Sequence, residues 1–173
     1  FEIPESNRGT WVAIYVKYVV QNLTISGNTF DIRGGAASNN GSKAFQCIGL
    51  AYEDDRYTGA VNISKNTVTS TVKNGEIIFV VGGKSPDKAE ASGYTYSIVN
   101  LTISGNEVTD NSGENLLVAA MLSNAGNLKV TGNRFLRCRA GLVLATAGEN
   151  NADKPLAAND IEDILTGNDD CGT

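Results

Sequence analysis

The stretch NLTISGNTF, Asn22 to Phe30, returns along the chain as NISKNTV (Asn62 to Val68), NLTISGNEV (Asn100 to Val108) and NLKVTGNRF (Asn127 to Phe135). The copies align without gaps on Asn28, Asn66, Asn106 and Asn133. Five residues before each asparagine stand Leu23, Val61, Leu101 and Leu128, three before stand Ile25, Ile63, Ile103 and Val130, and two after stand Phe30, Val68, Val108 and Phe135. Between them lie Thr24, Asn62, Thr102 and Lys129, then Ser26, Ser64, Ser104 and Thr131. Apolar residues alternating with short polar ones have the period of a strand, with one face in a core and the other toward water. Each copy therefore reads as a strand, a sharp turn at the asparagine, and the start of another strand.

Working outward, a further apolar run follows each turn: AFQCIGLAY (Ala44 to Tyr52), GEIIFVVGG (Gly75 to Gly83), NLLVAAMLS (Asn115 to Ser123) and AGLVLATAG (Ala140 to Gly148). An earlier run, GTWVAIYVKYV (Gly9 to Val19), precedes the first copy. With no helical pattern between the runs to serve as a crossover, the economical arrangement is a coil whose like strands stack in parallel. The asparagines are 38, 40 and 27 residues apart. The variable length falls in RGGAASNNGSK (Arg33 to Lys43), EDDRYTGA (Glu53 to Ala60) and KSPDKAEASGYTYS (Lys84 to Ser97), which are rich in turn formers and charge and read as loops. Five rungs at a strand spacing of roughly 4.8 Å make a stack about 20 to 25 Å tall.

Composition narrows the chemistry. The 173 residues contain no histidine, and 14 Lys and Arg against 19 Asp and Glu leave a net charge of −5. Histidine-dependent nucleophilic triads, imidazole proton shuttles and His-ligated zinc are thereby excluded. The acidic balance argues against nucleic acid as a partner. No run of 18 apolar residues could cross a bilayer as a helix, so no membrane insertion is expected. Three cysteines, Cys47, Cys138 and Cys171, are widely spaced and form neither a CxxC pair nor a disulfide framework. The chain begins at Phe1, carries its single methionine at Met121 and has no signal-peptide pattern at its start, which reads as a processed or excised piece of a longer protein.

The pattern N-[LV]-x-[IV]-[ST]-G-N-x-[FV], over roughly residues 9 to 148, resembles the parallel β-helix repeat of the pectate-lyase-like superfamily. The resemblance implies an all-β, right-handed, single-stranded parallel β-helix (solenoid) of about five rungs, with residues 1–150 forming the rungs. Residues 151–173 then form a degenerate final rung or a cap. LTGN (Leu165 to Asn168) repeats the turn motif, although Asp163 and Asp170 occupy columns that should be apolar, and ANDIEDIL could instead be a short capping helix. Proteins of this superfamily include polysaccharide lyases, glycoside hydrolases and phage tailspikes, so the fold does not choose the chemistry.

Candidate residues sort by what their types can do. Asn28, Asn66, Asn106 and Asn133 are expected to form a structural turn ladder, their amides bonded rung to rung and their backbones suited to left-handed geometry at the bend. Gly27, Gly105 and Gly132 serve the same bend, and Lys65 in that column marks glycine as preferred rather than required. Glycosidic hydrolysis needs two carboxylates at a set separation. The best local cluster is Glu53, Asp54 and Asp55, with Asp54 and Asp55 the catalytic candidates; Asp31 and Asp110 are a further pair, on the order of 10 Å apart if two rungs separate them. Lyase chemistry would want a basic proton abstractor, for which Arg137 and Arg139 offer no identifiable partner. Tyr18, Tyr57, Tyr94 and Tyr96 would gather near one corner if the rungs stack in phase, where their rings could stack on sugars. Acidic pairs such as Asp54-Asp55 and Asp169-Asp170 lack a complete calcium loop, so no metal and no cofactor is expected. The sequons at Asn22, Asn40, Asn62 and Asn100 are largely by-products of the repeat.

Together these features are most like a fragment of a phage tailspike or tail fibre. Such a fragment would be a homotrimer of the virion tail, or an extracellular protein, that recognises bacterial surface polysaccharide. The likeness leaves open whether it also cleaves the polymer, as a glycosidase or a lyase. The alternatives are a piece of a bacterial extracellular polysaccharide lyase or glycoside hydrolase acting as a monomer, and a structural solenoid segment without ligand.

Overall fold

The computed structural model describes residues 2–3, 11–17, 19–34, 45–50, 56–72, 77–81, 98–115, 117–122, 127–144 and 169–172, and these contain strands and turns but no helix. The strands form three sheets in which every pairing is parallel. The first sheet runs β1 (Glu2–Ile3), β5 (Thr29–Gly34), β8 (Thr67–Ser70), β11 (Glu107–Asp110), β14 (Arg134–Leu136) and β16 (Asp169–Gly172). The second runs β13 (Lys129–Thr131), β10 (Ile98–Ser104) and β7 (Arg56–Ser64), and then β3 (Val19–Val20) and β4 (Leu23–Ser26), which both lie against β7. The third runs β15 (Ala140–Leu144), β12 (Val118–Leu122), β9 (Ile77–Val81), β6 (Phe45–Leu50) and β2 (Trp11–Val16). From β4 to β15 the chain visits the sheets in one cyclic order, so each strand meets its equivalent from the neighbouring circuit.

Register follows the repeat. Leu23, Val61, Leu101 and then Ile25, Ile63, Ile103, Val130 are matched across β4, β7, β10 and β13. Phe30, Val68, Val108 and Phe135 are matched across β5, β8, β11 and β14. These columns are the buried core, with Val61, Ile63, Val68, Leu101, Ile103, Val108 and Val130 each at most 1 % exposed. A one-residue slip would turn every one of these side chains to water, so the alternation itself holds the register. The third sheet differs: Cys47 and Ile48, Ile78 and Phe79, Ala119 and Ala120 are consecutive residues that point to opposite faces, yet all are buried. That is why these runs read as continuously apolar rather than alternating.

The turn between the second and first sheets is tight. Gly27, Gly105 and Gly132 have φ of +69, +62 and +61°, and Lys65 stands in the same column at +54°. The left-handed residue is therefore the one before each asparagine, not the asparagine, whose task is carried by its side chain. Lys65 bears the Cβ penalty that glycine escapes. Lys65→Gly is expected to stabilise the chain by about 0.5–1 kcal/mol, visible as a rise in thermal midpoint.

Two sequence expectations need correction. EDDRYTGA does not end as a loop at Ala60, because Arg56–Ala60 are the first half of β7. Arg33 and Gly34 likewise are the end of β5 rather than the opening of a loop. In both places the parallel neighbour extends the strand: Val19 and Val20 pair with Arg56 and Tyr57, and Glu2 pairs with Arg33. At the C-terminal end, Asp169–Gly172 pairs in parallel with β14, with Arg134 opposite Asp169. The boundary at 150/151 and the candidate helix ANDIEDIL lie outside the described residues.

Candidate functional site

The asparagines of the turn form a continuous hydrogen-bonded column. Asn66 Oδ1 accepts the backbone N–H of Asn28 at 3.0 Å and its Nδ2 at 2.9 Å. Asn106 Oδ1 accepts the same two groups of Asn66 at 3.0 and 2.9 Å, and Asn133 Oδ1 those of Asn106 at 2.9 and 2.9 Å. Each amide also reaches back one circuit: Nδ2 of Asn66, Asn106 and Asn133 donates to the carbonyls of Ile25, Ile63 and Ile103 at 3.0, 2.9 and 2.9 Å. Asn66, Asn106 and Asn133 are buried, so these bonds satisfy groups that water cannot reach. The column is scaffold, and it holds the polar face beside it in register.

That face is the outward side of the second sheet and its corner. One column holds Thr24, Asn62, Thr102 and Lys129, the next Ser26, Ser64, Ser104 and Thr131, all exposed or half-buried. Ser64 Oγ lies 3.1 Å from Ser26 Oγ, and Asn127 Nδ2 donates to Asn100 Oδ1 at 2.8 Å further along the same face. Around the corner Thr29, Thr67, Glu107 and Arg134 continue it, with Arg134 and Glu107 3.6 Å apart across adjacent strands. Hydroxyls and amides repeat at the strand spacing of roughly 4.8 Å in one direction and about 6.7 Å in the other, on a rigid sheet. Such an array can donate and accept many hydrogen bonds at little ordering cost. Its signal in the sequence was the short polar residue at the fourth and second positions before each turn asparagine.

The aromatic column does not assemble around Tyr57. Between Tyr57 and Val61, β7 has one residue more than either neighbour: Val20 and Leu23 are opposite Tyr57 and Val61, and the register with β10 shifts between Ile98 and Asn100. Tyr57 is thus level with Val20 and Ile98, its ring is 0 % exposed, and its hydroxyl donates to the carbonyl of Val16 at 2.7 Å. A ring with no exposed face is core, not a sugar platform. Tyr18, Tyr94 and Tyr96, like the carboxylates Glu53, Asp54 and Asp55, lie outside the described residues. The exposed tyrosine among those described is Tyr15, with the Lys17 ammonium 5.2 Å from its ring centre.

Asp31 and Asp110 do not form an acid–base pair either. Asp31 is level with Thr69 and Asp110 with Ser70, so the two occupy adjacent columns and point to opposite faces. Asp110 is buried and structural, its carboxylate accepting the N–H of Ser112 at 2.8 Å and of Leu117 at 3.2 Å. Arg137, itself at φ +55°, clamps this turn by donating Nε to the Asp110 carbonyl at 3.0 Å and its guanidinium to Asn111 Oδ1. It is a structural arginine rather than a proton abstractor.

Asp31 bonds Arg33, and that hydrogen bond together with the guanidinium charge holds its carboxyl below the usual 3.8. A lowered folded-state pKa stabilises above the unfolded value and is lost as pH falls through the folded one. Arg33→Ala is expected to let the Asp31 titration move back up toward 3.8, read by NMR on its side-chain carboxyl. Cys47 and Cys138 are buried, and burial pushes the Cys47 thiol up, away from reactivity. Among the described residues, no three metal-ligating side chains cluster. A scan against protein-family models and searches of curated proteins and of solved structures find no match to this chain.

Proposed function

We propose that the chain is a right-handed parallel β-helix of the pectate-lyase-like kind, resembling a fragment of a phage tailspike or tail fibre, and that its polar sheet face recognises bacterial surface polysaccharide. The observation that carries this reading is the pair of columns Thr24, Asn62, Thr102, Lys129 and Ser26, Ser64, Ser104, Thr131, held in register on the ladder-locked sheet. A polysaccharide is itself a repeating array of hydroxyls, and a repeating array of donors and acceptors matches it over several residues at once. The net charge of −5 and the lack of a basic stripe favour a neutral or cationic polymer over a polyanion. Recognition is the central activity; cleavage, if it accompanies binding, rests on Asp54 and Asp55, and alanine at both would then abolish it. The homotrimer and the virion tail are part of the same proposal.

Light scattering of the chain with a panel of bacterial surface polysaccharides, while new reducing ends are counted, tests it. A trimer that gains mass with at least one polymer is expected. The change Ser104→Asp should weaken that binding about tenfold while leaving the thermal midpoint within about 2 °C, because the side chain is on the outward face and its strand neighbours Ser64 and Thr131 are uncharged. A monomer indifferent to every polymer would reject the proposal.

A further inference from the structure

One column of the corner departs from its own pattern. Before the turn asparagines stand Gly27, Lys65, Gly105 and Gly132, all left-handed, with φ of +69, +54, +62 and +61°. The lysine does not mark a different turn. Its N–H donates to the Ser104 carbonyl at 3.0 Å, just as those of Gly27 and Gly105 donate to the carbonyls of Ser64 and Thr131 at 3.1 and 3.0 Å. A side chain at this backbone angle costs stability that glycine would keep. Residues other than glycine held in this conformation concentrate at ligand-binding sites, where the strain belongs to the function.

No contact within the fold offsets that cost. Lys65 is exposed, and its side chain makes no ion pair or hydrogen bond with the described residues. Glu107, two residues past Gly105, pairs instead with Arg134 at 3.6 Å. The Lys65 Cγ lies 3.8 Å from where a Cβ on Gly105 would stand, so the stem extends beside a residue that has no side chain of its own. Gly27, on the other side, is equally bare. The ammonium therefore rises from within the polar face, with Ser26, Ser64 and Ser104 before the corner and Thr29 and Thr67 after it.

We infer that Lys65 is a specificity-determining residue of this face and that it binds a carboxylate carried by the polysaccharide, while the serine and threonine hydroxyls beside it take the neighbouring sugar hydroxyls. An ammonium on a four-carbon stem is a point charge that donates to such an oxygen without demanding one fixed geometry. A single cation on a chain of net charge −5 does not hold a polyanion. The polymer it selects is neutral along most of its repeat and bears an acidic sugar at intervals. This inference rests on the glycan reading and adds to it the class of sugar that the corner recognises.

The test uses the full chain and whichever surface polysaccharide of the panel binds it, in its native form and after its carboxyl groups have been reduced to primary alcohols. Lys65→Gln keeps the strained backbone and most of the stem and removes the charge, Lys65→Gly removes all three, and Lys65→Arg keeps all three. Calorimetric titration should show the Gln and Gly variants binding the native polymer about tenfold more weakly and the Arg variant staying within about threefold of the parent. The reduced polymer should bind the parent and all three variants alike. Lys65→Gly should lose affinity while its thermal midpoint rises, a combination that damage to the fold cannot produce. Unchanged affinity of Lys65→Gln for the native polymer, or parent affinity indifferent to carboxyl reduction, would overturn this inference and leave the glycan reading standing. So would an equal loss by the variants toward both forms of the polymer. If no polymer of the panel binds, the glycan reading falls and takes this inference with it.

Discussion

Asn106→Leu is expected to destabilise the chain by about 3–5 kcal/mol, enough to unfold a marginal domain. Asn106 is 1 % exposed and joins three circuits through four side-chain bonds, two accepted from Asn66 and one each donated to Ile63 and Asn133. Leucine fills the space but leaves the Asn66 N–H and one Asn66 amide hydrogen buried without partners, at about 1–3 kcal/mol each, and takes one donor from the Ile63 carbonyl. Asn28→Leu, at the half-buried end of the same ladder, should cost only about 1 kcal/mol. Because Asn66 and Asn106 share bonds, the double change should cost less than the two single changes added. Urea denaturation of the four variants measures this, and equal small losses at Asn28 and Asn106 would mean that the ladder does not hold the stack.

Gly59→Ala is the second large effect. A Cβ at Gly59 would stand 1.9 Å from the carbonyl oxygen of Gln21 and 2.3 Å from Asn22 Oδ1, far inside van der Waals contact. The glycine lies where β7 carries its extra residue, and the neighbouring Ala60 N–H is held by Asn22 Oδ1 at 3.0 Å. Because the obstacle is backbone, the bulge itself must open, and a loss of about 2–4 kcal/mol is expected in the same denaturation assay. Asn22→Ala should not rescue it. Gly141→Ala makes the contrast: its Cβ would meet Phe135 Cδ2 at 2.4 Å, a side-chain atom. There a loss of about 1–3 kcal/mol is expected, and Phe135→Leu in the same chain should recover part of it.

These two sites also mark how far the sequence could be read. The second sheet and the corner were legible because their alternation is strict, and the gapless alignment on the asparagines is the register the strands adopt. The ladder followed from the same alignment, since a buried amide repeated at one corner has few partners but its own copies. The bulge in β7 was not legible. One extra residue leaves the composition unchanged, and counting back from Asn66 therefore misplaced Tyr57 by enough to turn a core ring into a supposed surface one. Asp31 and Asp110 failed for a simpler reason, because three and four residues past the turn differ in parity and a strand sends them to opposite faces. The ends of the loops were blurred where a parallel neighbour extends a strand into polar sequence, as at Arg56–Ala60. Asp54, Asp55, Tyr18, Tyr94 and Tyr96 fall outside the described residues, so the polar columns carry the functional reading alone.

The most direct test of that reading is to map, by NMR, where a fragment of any polysaccharide that the chain binds perturbs its amide resonances. Shifts concentrated on Thr24, Ser26, Asn62, Ser64, Thr102, Ser104, Lys129 and Thr131 are predicted, growing with fragment length as more rungs are engaged. Shifts that avoid both columns would contradict the account, as would a panel of polymers none of which perturbs them.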